Sequence, residues 1–127
     1  MTIKTHFTTE LKNKVMIIHI FGTLIVSNSL TKLDSEIKKL LSKDFKNFIL
    51  DLTKVTHINS SGLGVLIYTH SESTSVGGKM VIAGAKNEVV TLLNKTRVCS
   101  LFECFKTVED ALKEFPPAKE EKNELKN

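Results

Sequence analysis

The chain has 127 residues, with 41% hydrophobic and 25% charged side chains and 18 Lys and Arg against 14 Asp and Glu, a net charge of +4. That length suits one domain, and the apolar content suffices for a core without a disulfide or metal staple, which excludes disorder throughout. The positive excess is mild, Trp is absent, Tyr occurs once and the lysines alternate with acids, so no nucleic-acid partner is expected.

Residues 3–11 alternate weakly and read as an edge strand, followed by a polar turn at Lys12, Asn13 and Lys14. Residues 15–21 (VMIIHIF) form a near-continuous β-branched run, the pattern of a strand buried on both faces, and Gly22 is expected to end it. The apolar stretch 15–26 is interrupted by His19, Gly22 and Thr23, and Glu10 lies where a basic leader would be. It reads as neither a secretory leader nor a membrane-inserted segment, which needs ~20 apolar residues. A cytoplasmic location is the expectation.

From Ser29 the period changes. Leu30, Leu33, Ile37, Leu40 and Leu41 recur every three or four residues, one face of an amphipathic helix with Ser27 or Asn28 as cap. Residues 48–52 (FILDL) are a second buried strand, and residues 53–56 a polar connection. A helix starts at Ser60 or Ser61 and runs to about Val76, stopped by Gly77 and Gly78. Residues 79–84 are a strand, 87–95 a short helix, 101–105 a further buried strand, and 108–115 a last helix capped by Thr107. Pro116 and Pro117 stop regular structure. Residues 118–127 hold three Lys, three Glu, two Asn, one Ala and one Leu, so 116–127 is expected to be a disordered polar tail whose charges cancel, behind a domain of residues 1–115.

Strands thus alternate with helices from residue 15. This pattern predicts an α/β domain, a mostly parallel sheet with an antiparallel N-terminal edge strand and about four helices. Cys99 and Cys104 lie in an apolar stretch (VCSLFECF) and read as two small hydrophobes. His6, His19, His57 and His70 lack ligand-like spacing, and no metal site or cofactor is expected. His19 reads as a satisfied core histidine, and Asp51, at a strand end, as a carboxylate that orients the next turn. No base is visibly paired with a nucleophile, so a hydrolase triad and a catalytic role are not expected.

Chemistry concentrates where strands of a parallel sheet give way to helices, here the turn from Asp51 through His57 to Ser60-Ser61-Gly62-Leu63-Gly64. Two hydroxyls meet a helix N-terminus that favours anions, beside two glycines that admit a close backbone. Three roles fit: a cap with packing glycines, a site for a bound phosphate, or a serine that carries a covalent phosphate. The Lys of a P-loop is absent.

The segment 51–64 (DLTKVTHINSSGLG) resembles the signature of the STAS domain of bacterial anti-sigma factor antagonists, supported by residues 15–22, 78–82 and 102–112. The resemblance spans about residues 3–115. It implies a partner switch in which the unphosphorylated protein binds a serine-kinase anti-sigma factor and releases its client. The phosphorylated form lets go, and a phosphatase resets the cycle. The acceptor position maps onto Ser60, with Ser61 the second choice. His57 could touch the phosphate when protonated. The implied partner-facing residues are Thr23, Ile25, His57, Asn59, Ser60, Ser61, Gly62 and Leu63. Such a protein is a kinase substrate and not an enzyme. The alternative is a non-switching STAS subunit of a signalling scaffold or transport complex. Where the family commonly has acids, this chain has Thr23, Ile25 and Asn59, which removes negative charge from the partner surface.

Overall fold

The structure, a computed structural model, describes residues 6–24, 28–101 and 103–115. Strand β1 (His6–Lys12) pairs antiparallel with β2 (Val15–Leu24). Lys12 faces Val15 across a two-residue turn whose members, Asn13 and Lys14, both have positive φ. That is the geometry matching the twist of a tight hairpin, and Asn tolerates it well. Helix α1 (Asn28–Ser42), β3 (Asn47–Ile58), α2 (Ser60–Ser75), β4 (Lys79–Ala83), α3 (Asn87–Lys95), α4 (Val98–Leu101), β5 (Cys104–Phe105) and α5 (Val108–Leu112) follow. The sheet order is β1-β2-β3-β4-β5, with every pair after the first parallel.

Both faces of the sheet are covered, which explains the unbroken apolar run of β2. Met16, Ile18 and Ile20 point toward α1, α2 and α3, where they meet Leu33, Ile37, Leu66 and Leu93. Val15 and Ile17 point the other way and pack with Ile49, Val81, Ala83, Ala111 and Phe115 under α5. Each fully buried Leu or Ile contributes about 2 kcal/mol against exposure, so the larger cluster supplies most of the hold on α1 to α3. No helix among the described residues is long and apolar enough to cross a membrane.

Several expectations are corrected. Gly22 does not end β2; at φ +88° it sits in a register irregularity, and the strand continues to Leu24. Its continuation pairs Thr23 with His57 and Leu24 with Ile58, so residues 53–56 are strand and not a polar connection. Val55, buried among them, anchors that extension. The strand expected at 101–105 is only two residues long. It is preceded by the four-residue α4, which raises the helix count among the described residues to five. α5 stops at Leu112, and the chain tightens through i→i−3 bonds to bury Phe115. Cys99 and Cys104 form a disulfide, their Cα atoms 5.7 Å apart. The bond joins α4, which carries Cys99, to Cys104 at the start of β5, two thiols whose spacing alone did not suggest a pair. The predicted caps of α1 fall outside what is described: Ser27 and the side chain of Asn28. So does the expected tail at 116–127.

Candidate functional site

The end of β3 and the start of α2 form one rigid corner. Asn59 is the N-cap of α2, in extended conformation, and its side-chain oxygen accepts from the backbone N–H of Ser61 at 3.0 Å and of Gly62 at 3.1 Å. Its carbonyl accepts from Leu63 N–H at 2.9 Å, and its own N–H donates to the Leu24 carbonyl at 3.2 Å. Two of the orphan donors of the first turn are therefore satisfied by the Asn59 side chain, and its carbonyl accepts the first regular helical bond. An amide oxygen does this as a carboxylate oxygen would, without the charge. Ser60, the first helical residue, is left exposed, and its hydroxyl makes no hydrogen bond among the described residues. The sequence pointed to Ser60 or Ser61 as the helix start; the cap itself is one residue earlier.

The two glycines of the motif have different reasons. A Cβ on Gly62 would press into the Leu24 carbonyl oxygen and stand 2.7 Å from Leu24 Cβ, so this position joins α2 to the end of β2. A Cβ on Gly64 would meet nothing within 4 Å. Glycine in a helix interior costs about 1 kcal/mol relative to Ala, and at Gly64 no internal contact accounts for it.

The residues expected at a partner surface divide by burial. His57, Asn59 and Ser60 are exposed and Ser61 is partly so, whereas Thr23, Gly62 and Leu63 are buried. Ile25 lies outside the described residues. His57 turns toward α3, with Nε2 3.5 Å from Glu88 Oε1; Glu88 had no signal in the sequence motif. Beside it, a concavity of about 620 Å³ is lined by Lys54, Lys86 and Glu88 among others. Next to Ser60 in the chain, Ser61 together with Gly64 and Tyr68 of α2 faces Thr31, Asp34 and Lys38 of α1 across a groove of about 370 Å³. Lys38 pairs with Asp34 at 3.2 Å and lies 5.5 Å from the centre of the Tyr68 ring. The i,i+4 spacing of Asp34 and Lys38 is legible in the sequence; their facing Tyr68 is not.

A second polar cluster lies on the α5 side of the sheet. His19 Nδ1 is 2.6 Å from Asp51 Oδ2 and His19 Nε2 is 2.9 Å from Glu10 Oε1. The other Asp51 oxygen accepts from Thr53 N–H at 3.0 Å and Thr53 Oγ1 at 2.6 Å. Lys12 and Glu109 line the same cleft. The expected core histidine is thus a cross-strand bridge between two acids. Partial burial pushes its pKa down, but the bonds to Glu10 and Asp51 outweigh this and hold it above the ordinary 6.5. Burial likewise raises Asp51, and its bonds from Thr53 and His19 win and keep it below 3.8. The hydrogen bond to His19 lowers Glu10.

The sign follows from linkage. A raised folded-state value means the contribution of His19 to stability is full below 6.5 and is lost as pH rises through that raised value. The carboxylates contribute above their ordinary range and fade in acid. Urea unfolding from about pH 6 to about pH 9 should therefore show stability falling in the wild type. A His19→Gln variant should lack that component of the slope. An unchanged slope in the variant would remove His19 from this role. Among the described residues, no group of three or more His, Cys, Asp or Glu could hold a metal ion.

A family model for the STAS domain matches residues 6–111. A Thermotoga maritima protein assigned as an anti-sigma factor antagonist superposes with a TM-score of 0.80 at 22% identity, covering 85% of this chain and 92% of that one. The phosphorylated form of the Bacillus cell fate determinant SpoIIAA gives 0.71 at 15% identity over 87% of this chain and 100% of its own. A sulfate transporter family protein of Wolinella succinogenes gives 0.66 at 18% identity over 83% and 87%. At these identities the structural likenesses speak for the fold.

Proposed function

The chain belongs to the STAS domain family, and from that premise we propose that it is a phosphorylation-controlled anti-sigma factor antagonist. In this reading the unphosphorylated protein binds a serine-kinase anti-sigma factor and frees the client which that factor holds. Transfer of the γ-phosphoryl of ATP to Ser60 Oγ, with ADP leaving and the hydroxyl proton taken by the kinase, ends the binding. A phosphatase restores the hydroxyl. The protein is substrate and binding module; ATP and Mg²⁺ belong to the kinase, and the exchange takes place in the cytoplasm.

One observation carries the reading: Ser60 opens α2 with an exposed hydroxyl that makes no hydrogen bond among the described residues, while Asn59 does the capping. A phosphate there, at roughly −1.5 to −2 charges, would meet the positive end of a helix and cost the fold little. The topology favours surface recognition. The sheet runs in sequential order and so lacks the reversal at which open α/β sheets form a ligand crevice. The names of the neighbours agree: the Thermotoga protein is an assigned anti-sigma factor antagonist, and SpoIIAA is known in unphosphorylated and phosphorylated forms.

The test is to incubate the protein with the serine-kinase anti-sigma factor of its own organism and ATP, then to map phosphate by mass spectrometry. Phosphate on Ser60 is expected. Phosphate on neither Ser60 nor Ser61, together with no complex between the two proteins, would overturn the reading and leave the non-switching subunit.

A further inference from the structure

Resting on the phosphorylation reading above, we infer that Gly64 is a close-approach position for the kinase, a residue that decides whether Ser60 can be reached. Ser60 and Gly64 are four residues apart on α2, and side chains at that spacing share a helix face. An active-site cleft that encloses Ser60 Oγ must also cover the next turn, which Gly64 occupies. Gly64 is exposed, and a Cβ there would stand in open space, so the protein's own packing does not require glycine. The neighbouring Gly62 shows the contrast, since its Cβ would press into Leu24. Glycine at position 64 weakens the helix and benefits no contact among the described residues. What remains is a contact from outside, made by the body that takes hold of Ser60.

The surroundings fit such a body. Along the same line of α2, Ser60, Gly64, Ile67 and Ser71 are all exposed and none is charged, in a chain that is 25% charged. Ile67 is 39% exposed, an apolar contact one turn beyond the glycine. Gly64 also lines the groove against α1, so a covering surface would rest on Gly64 with one edge toward Tyr68. The occupant we commit to is the rim of the kinase cleft, not a small ligand and not a second copy of this chain.

The experiment uses Gly64→Ala and Gly64→Leu, with thermal unfolding and phosphorylation of Ser60 by the same kinase measured on each. Gly64→Ala should raise Tm by roughly 2–5 °C, because it restores helix propensity where a Cβ fits. It should at the same time lower kcat/KM for phosphorylation about tenfold, mostly through KM, and Gly64→Leu should lower it further. A merely structural glycine cannot produce gains in stability and losses in phosphorylation together. Wild-type phosphorylation rates in both variants would overturn this inference while leaving the phosphorylation reading intact. So would a lower Tm for Gly64→Ala, which would mean an internal contact. A wild-type protein that is never phosphorylated would overturn both.

Discussion

Gly62→Ala is expected to destabilise the protein by about 3 kcal/mol, seen as a fall in Tm of roughly 10–15 °C. The added methyl gains helix propensity worth about 1 kcal/mol, so the steric cost must exceed that gain. It does, because the obstacle is backbone: the Cβ would press into the Leu24 carbonyl oxygen, and the Leu24 carbonyl carbon would stand 2.8 Å away. No rotamer change relieves such a contact. The same carbonyl accepts the Asn59 N–H, so displacing it also breaks the link between the cap of α2 and the end of β2. Leu24 and Leu63 are both buried at this junction and would share the strain. Urea unfolding of Gly62→Ala beside Gly64→Ala is the sharpest comparison, since two identical substitutions two residues apart should shift stability in opposite directions. A Gly62→Ala protein as stable as wild type would show that α2 does not approach β2 this closely.

Much of this corner is local, and local signals are legible in sequence. The bounds of α2 follow from hydroxyl and amide side chains at one end and a glycine pair at the other, and α3 from its apolar spacing. Thr107 is the cap of α5, its hydroxyl accepting from Asp110 N–H at 3.0 Å. The parallel sheet with its antiparallel edge follows from the alternation of runs. What was not legible depends on distant partners. Residues 53–56 look like a polar loop until Thr23 and Leu24 pair beside them. Gly22 looks like a stop until a register shift uses its positive φ to carry the strand on. His19 finds its acids nine and 32 residues away, and no spacing rule connects them. The cysteine pair joins α4 to β5, and α4 is an element the sequence did not announce. Asn59 is a subtler case, since any of three consecutive side chains could have capped the helix. The backbone conformation decides, and the decision matters because it leaves the Ser60 hydroxyl out of the cap.

Ser60→Ala is expected to hold the kinase anti-sigma factor with wild-type affinity in the presence of ATP as well as its absence. Ser60→Asp should bind it about 100-fold more weakly, a difference near 2.7 kcal/mol. The argument begins with stability, because a variant that unfolds would mimic loss of binding. Ser60 is not the cap and makes no side-chain hydrogen bond among the described residues, so Ala removes nothing the fold uses. Asp at the first helical position is favoured by the helix dipole, by about 0.5 kcal/mol, so that variant should be as stable as wild type or slightly more so. Any loss of affinity then belongs to the interface. An uncharged contact face along α2 would have to desolvate the new carboxylate without a partner for it, and such a charge typically costs 2–5 kcal/mol. A phosphate carries more charge and should weaken binding further. Isothermal titration calorimetry of the three proteins with the kinase, each checked for equal thermal stability, reads the outcome directly. Equal affinities for Ser60→Ala and Ser60→Asp would take Ser60 out of the switch. A shared wild-type affinity in both would then favour a constitutive STAS subunit, in which the first turn of α2 is held by Asn59 and nothing more is asked of the serine.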